Sequence, residues 1–306
     1  MNTKELINKR QFELTKFLYY QKIFSQTKLK IYLDCDEYLN ENYENVKNGI
    51  IDLYKNFSGN EIEIIYKANS SNFSQSIISM LTEEIMQIIQ IVTLKLEIYF
   101  DGFIDNRFFN LDKRVFKRIS LYIIDVYKFS NEVYNKFRYL CNKMVINVDI
   151  VDLLIHRQRY NEMFEYNYIS EILEVNILND YLIDDNIIKE LMNDCDRIHM
   201  EYKKLNNEYC NLICSACYPN EFHIGKGLLS KCHCFVDFYN CIGEINNKGL
   251  SIDVEKYLEW VMLPDLINIE DKCKECKCFS ACIGRHCRAY NKDKVLTVKC
   301  IKEAIY

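Results

Sequence analysis

Residues 29–57 read LKIYLDCDEYLNENYENVKNGIIDLYKNF. The opening LKIYLD (29–34) is short, rich in aromatic and branched residues, and ends in a polar turn, so it reads as a strand. YENVKNGIIDLYKNF (43–57) carries apolar residues at helical spacing and reads as an amphipathic helix. A strand followed by a helix is the unit from which the fold is built, and five more such units follow.

The further strands are expected at EIEIIY (61–66), LKLEIYF (94–100), ISLYII (119–124), MVINVDIV (144–151) and ILEVNIL (172–178). Helices are expected at SIISMLTEEIMQIIQIV (76–92), LDKRVFKR (111–118), SNEVYNKFRYLCN (130–142), RYNEMFEYNYI (159–169) and DNIIKELMNDCDRIHMEYKKLNN (185–207). Six strands each followed by a helix imply a parallel sheet, because crossovers between parallel strands need a dozen residues or more. On this pattern alone an open partial barrel and a doubly wound sheet are both admissible. The first 28 residues read as a helix leading into the first strand.

Bulk properties exclude several classes. The formal charge of −5 argues against a nucleic-acid binder, whose affinity comes mainly from Lys and Arg against phosphate. The cluster KRVFKR (113–118) is interleaved with apolar residues and reads as a solvated helix face. No stretch reaches the ~18 apolar residues of a membrane span, and the N-terminal segment lacks the apolar core of a signal peptide. A cytoplasmic protein with reduced thiols is expected.

Ligands of parallel α/β sheets sit at the carboxyl ends of the strands. Here those turns carry no Gly-rich phosphate loop and no GxSxG. The five histidines are dispersed, and His156, just past the fifth strand, is read as a packed or surface residue.

The chain has 15 cysteines, and all but Cys35, Cys141 and Cys195 lie between Cys210 and Cys300. This asymmetry divides the chain into a lead-in (1–28), an α/β domain (29–207) and a cysteine-rich domain (208–306). A disulfide framework does not suit a reducing compartment. Zinc would use CxxC pairs, of which Cys214/Cys217 and Cys273/Cys276 are two. Iron–sulfur clusters take four thiolates each from longer, irregular spacings.

The intervals are specific. Nine residues separate Cys217 from Gly227, and four separate Gly227 from Cys232; EFHIGKGLLSKC (221–232) reads as a β-hairpin with GKG at its tip. After a long gap, CKECKCFSACIGRHC (273–287) gives Cys273, Cys276, Cys282 and Cys287, and a last gap ends at Cys300. This array closely resembles the SPASM domain, which follows the catalytic barrel in many radical S-adenosylmethionine (SAM) enzymes. Every interval fits that domain's pattern except Cys282 to Cys287, which is one residue longer.

The resemblance implies a (β/α)6 partial TIM barrel followed by a small SPASM-like domain with two auxiliary 4Fe–4S clusters. Cys217, Cys232 and Cys287 would hold the first cluster, together with either Cys210 or Cys214. Cys273, Cys276, Cys282 and Cys300 would hold the second. Cys234, Cys241 and Cys278 fall outside the pattern and are read as buried or free thiols.

Two devices of the family are missing. A radical SAM enzyme carries CxxxCxxC just after the first strand; here Cys35 stands at the first position, but Leu39 and Asn42 stand at the other two. The expected GGE-type turn after the second strand falls in YKANSSNF (66–73), which has neither glycine nor carboxylate. No SAM binding is expected. The resulting expectation is a pseudo-enzyme: a non-catalytic accessory protein that partners an active radical SAM maturase, its ribosomal precursor peptide, or both. The alternative is an active peptide-modifying enzyme with unusual SAM or cluster ligation.

Overall fold

The computed structural model describes residues 28–34, 36–57, 61–123, 126–149, 155, 173–178, 218–231 and 241–261. The chain divides into two compact units, one drawn from Met1–Glu63, Ile85–Val92 and Leu205–Tyr306, the other from Ile64–Glu84 and Thr93–Lys204. It is a mixed α/β protein in which most strand pairing is parallel. Among the described residues no helix is long and apolar enough to cross a membrane.

The first unit contains β1 (Leu29–Asp34), α1 (Glu37–Glu41) and α2 (Tyr43–Phe57). Val46, Gly49, Ile50 and Leu53 form the buried stripe of α2, the i, i+3, i+4, i+7 pattern of an amphipathic helix. Gly49 is needed for close approach, since a Cβ there would lie 2.7 Å from Cδ1 of Ile245.

The second unit contains most of β2 (Ile62–Asn69) and β3 (Val92–Phe100), with β4 (Phe116–Ile123), β5 (Lys143–Asp149) and β6 (Leu173–Leu178). These strands neighbour one another in that order. The pairs from β3 to β6 are parallel, with Tyr99 beside Tyr122, Tyr122 beside Val145, and Val145 beside Glu174. Between β2 and β3 lie α3 (Gln75–Ser79), a π-helical turn (Met80–Ile85) and α4 (Met86–Ile88). Ser74 caps α3, and Ser130 caps α5 (Asn131–Phe137), each accepting from the backbone N–H three residues on.

Two expected helices are corrected. The segment 111–118 is a turn that runs into β4. The Asp112 carboxylate accepts both the Arg114 backbone N–H (3.1 Å) and its guanidinium, an arrangement that competes with a helical turn. The KRVFKR cluster is therefore turn and strand, not a helix face. The helix expected over 76–92 ends at Ile88. Thr82 Oγ1 back-bonds to the Ile78 carbonyl within the π-helical stretch, and the branched run Ile91–Val92–Thr93 goes into β3.

The hairpin expectation holds. β7 (Glu221–Gly225) and β8 (Leu228–Ser230) are antiparallel, with His223 opposite Ser230 and Gly225 opposite Leu228. The two linking residues, Lys226 and Gly227, both have positive φ (53° and 74°), as a tight hairpin turn requires. Two features were not anticipated. β7 lies parallel to β1, with Lys30 beside Glu221 and Tyr32 beside His223. The hairpin then continues antiparallel into β9 (Gly243–Asn246) and β10 (Gly249–Ile252), followed by α6 (Val254–Val261).

Two of the parallel strands, β1 and β3, bury one face each, whereas β2 and β7 are buried along most of their length. In β1, Leu29, Ile31 and Leu33 are wholly buried while Lys30, Tyr32 and Asp34 are half-buried. In β3, Leu94, Leu96, Ile98 and Phe100 are buried while Lys95, Glu97 and Tyr99 are half-buried. A parallel sheet covered on both faces reads as a continuous apolar run. β2 and β7 are covered in that way, while period-two alternation gives β1 and β3 one more polar face each.

Candidate functional site

The strand ends and the polar faces hold the chemistry that is described. The turn after β1 leads into α1. Asp36 caps α1, its Oδ1 accepting the Leu39 N–H at 2.8 Å. Leu39 is 1% exposed, part of the core, and the Asn42 side chain donates to the Tyr38 carbonyl at 3.1 Å. Cys35 lies outside the described residues.

This turn is locked onto the hairpin. The other Asp36 oxygen accepts the backbone N–H of Lys226, at the hairpin tip. The Tyr38 hydroxyl donates to the Ile245 carbonyl at 2.6 Å, and the Tyr38 ring sits against Gly227, where a Cβ would be 2.7 Å from it.

On the polar face of the first unit, the Tyr32 and His223 rings stack with centroids 4.4 Å apart, and the Lys30 ammonium lies 5.1 Å from the Tyr32 centroid. Lys30 also pairs with the buried Glu221 carboxylate at 3.7 Å. The two partners respond unequally. Burial pushes the Glu221 carboxyl above its ordinary range, against the pull of Lys30 and Lys231. Burial alone would lower the Lys30 ammonium, but its hydrogen bond with Tyr32 and the Glu221 charge outweigh this and raise it. Lys30 is thus held charged, whereas the Glu221 carboxylate is opposed by its surroundings.

On the polar face of the second unit, Glu97 accepts from the hydroxyls of Tyr99 (3.2 Å) and Tyr122 (3.4 Å), whose rings stack at 5.1 Å. At the carboxyl end of β3, Asp101 accepts from Ser70 Oγ (3.1 Å), Ser71 Oγ and the Phe103 N–H (3.1 Å). Burial works against this carboxylate, but the bonds from Ser71, Phe103 and Ser70 outweigh it and hold it below its ordinary range. The segment 66–73 has no carboxylate of its own, yet β3 brings one to it.

At the base of the hairpin, Lys231 is 0% exposed. Its ammonium donates to the carbonyls of Tyr218 and Glu221 and approaches that of Pro219 at 3.4 Å. It lies 4.5 Å from the Phe222 ring centroid and 5.7 Å from that of Tyr257. A lysine beside a cysteine reads as a surface residue, and nothing in the sequence marks this one as buried.

Of the expected ligands, Cys210, Cys214, Cys217, Cys232, Cys273, Cys276, Cys282, Cys287 and Cys300 all lie outside the described residues, as do His156, Cys234 and Cys278. Cys241 is buried, as read from its place outside the spacing pattern. Cys141 is buried too, and burial pushes its thiol up to about 12. Among the described residues no three His, Cys, Asp or Glu side chains come together as a metal site. Thiols suit zinc or iron–sulfur, and in sequence Cys217 and Cys232 stand next to Tyr218 and Lys231.

No family model and no curated protein matches the chain. A solved structure titled "Native anSMEcpe with bound AdoMet" is similar at 12% sequence identity with a TM-score of 0.48, over 83% of this chain and 88% of that one.

Proposed function

We propose that the chain is a radical-SAM-like protein with a partial barrel and a SPASM-like iron–sulfur domain, and that it serves as a non-catalytic partner of an active peptide-modifying enzyme, its precursor peptide, or both. The spacing of seven cysteines, Cys217 to Cys300, supports the iron–sulfur part of this reading. The parallel pairing of the consecutive strands β3, β4, β5 and β6 supports the partial barrel.

The observation that carries the non-catalytic part is the turn after β1. A cluster that cleaves SAM needs three thiolates there, and the second position is filled by Leu39 packed in the core. The third, Asn42, closes the short helix that Asp36 opens, and the same Asp36 is tied to the hairpin. Cys217, Cys232, Cys287 and one of Cys210 or Cys214 would hold one cluster, and Cys273, Cys276, Cys282 and Cys300 the other. Bound there, such clusters supply a covalent cross-link and a one-electron relay. The chain's own part is to keep the Cys217–Cys232 hairpin closed and docked on β1.

Anaerobically purified protein is expected to hold about eight irons with matching sulfide and no zinc. Incubated with SAM and a reductant, it is expected to form no 5′-deoxyadenosine above background. Turnover to 5′-deoxyadenosine would overturn the non-catalytic reading, and zinc without sulfide would overturn the iron–sulfur one.

A further inference from the structure

We infer that Lys231 is a positioning residue that closes the base of the β7–β8 hairpin before any cluster binds. The antiparallel ladder runs from Gly225–Leu228 to His223–Ser230. Beyond it, the arm entering β7 contains Pro219, which has no N–H to offer. The Tyr218 carbonyl accepts the Glu221 N–H at 3.3 Å, and the carbonyls of that arm take further donors. Lys231, on the arm leaving β8, supplies them from one atom: its three ammonium protons face the carbonyls of Tyr218, Pro219 and Glu221.

Two aromatic rings complete the enclosure. Phe222 and Tyr257 are stacked at 6.2 Å with a 14° interplanar angle, and the ammonium sits within cation–π range of both. The Tyr257 hydroxyl donates to the Pro219 carbonyl at 3.1 Å, tying α6 to the same point. Burying an ammonium is expensive unless its protons are satisfied, and the three carbonyls that face this one belong to the opposite arm. These contacts are all between protein groups.

Its consequence follows from the chain. Tyr218 follows Cys217 and Lys231 precedes Cys232, so the clasp joins the residue after one cysteine to the residue before the next. That this serves cluster assembly rests on the iron–sulfur reading above; the closure itself does not.

Hydrogen exchange on the full chain, as purified and after chelator stripping, tests the closure. Wild-type amides of Phe222–Gly225 and Leu228–Ser230 should be protected in both forms. In Lys231→Met they should exchange about tenfold faster or more, as expected for losing a charge-assisted hydrogen bond, while Leu94–Ile98 and Ile119–Ile123 keep wild-type rates. Equal hairpin protection in Lys231→Met, or an unprotected wild-type hairpin in the stripped chain, would overturn the inference. Should the control amides also open, Lys231→Gln decides: faster hairpin exchange supports it, wild-type exchange overturns it.

Iron content of the same samples separates the two claims. Lys231→Met should fall from about eight irons to about four, and full iron with an opened hairpin would overturn the link to the cluster. An iron-free wild type would sink the iron–sulfur reading, while the exchange data would still decide Lys231.

Discussion

The Tyr38 hydroxyl donates to the Ile245 carbonyl at 2.6 Å, joining residues 207 apart in sequence, while the same ring fills the space beside Gly227. Both contacts bind the turn after β1 to the hairpin. Tyr38→Phe removes one partly buried hydrogen bond and should cost about 1 kcal/mol. Gly227→Ala meets the ring at 2.7 Å in a residue with φ of 74°, and should cost more, on the order of 2–3 kcal/mol. Urea denaturation followed by the single tryptophan, Trp260 on α6, checks both. Equal stability of wild type and Gly227→Ala would refute the packing.

Glu221 gives the first unit a pH dependence of definite sign. Burial raises its carboxyl above the ordinary 4.5. A raised acid favours the folded state while it is protonated. That contribution is complete below the unfolded value and is lost as pH rises through the raised folded value. Stability should therefore fall across that window, and Glu221→Gln should flatten this part of the profile. A denaturation series from pH 4 upward tests it; an unchanged slope in Glu221→Gln would mean the burial is not felt.

Cys141 should be inert in the native protein. Its thiol is 6% exposed and pushed up to about 12, so almost no thiolate forms at pH 8. Iodoacetamide followed by peptide mapping should find Cys141 unmodified until denaturant is added. Rapid native labelling would contradict the packing of the α5–β5 connection.

How much of this was legible beforehand depended on range. β1 was read to the residue, and β3 through β6 to within three, because alternation and short turns are local signals. The hairpin was legible because Gly227 supplies one of the two positive φ values that a two-residue turn needs, Lys226 taking the other. The helix assigned to 111–118 failed because its apolar spacing fits helix and strand equally, and the Asp112–Arg114 turn decided the matter. An aspartate three residues ahead of Leu39 is a local signal for the start of α1. The pairing of β7 with β1 joins residues about 190 positions apart, and no local pattern encodes it. Lys231 was illegible for the same reason: its partners are main-chain carbonyls, which the residue types do not announce.

The turn after β1 also predicts the outcome of an attempted repair. Leu39→Cys with Asn42→Cys recreates CxxxCxxC from Cys35 onward in sequence. In the fold, Leu39 points into the core at 1% exposure and Asn42 closes α1, so neither new thiol would be free to face a cluster beside Cys35 without unwinding α1. Losing the Leu39 side chain should cost roughly 1–3 kcal/mol. The double variant should accordingly bind no more iron than wild type under anaerobic reconstitution and should form no 5′-deoxyadenosine. A gain of about four irons per chain would show that α1 unwinds at little cost, and that the turn is a dormant site whose capped helix does not bar a cluster.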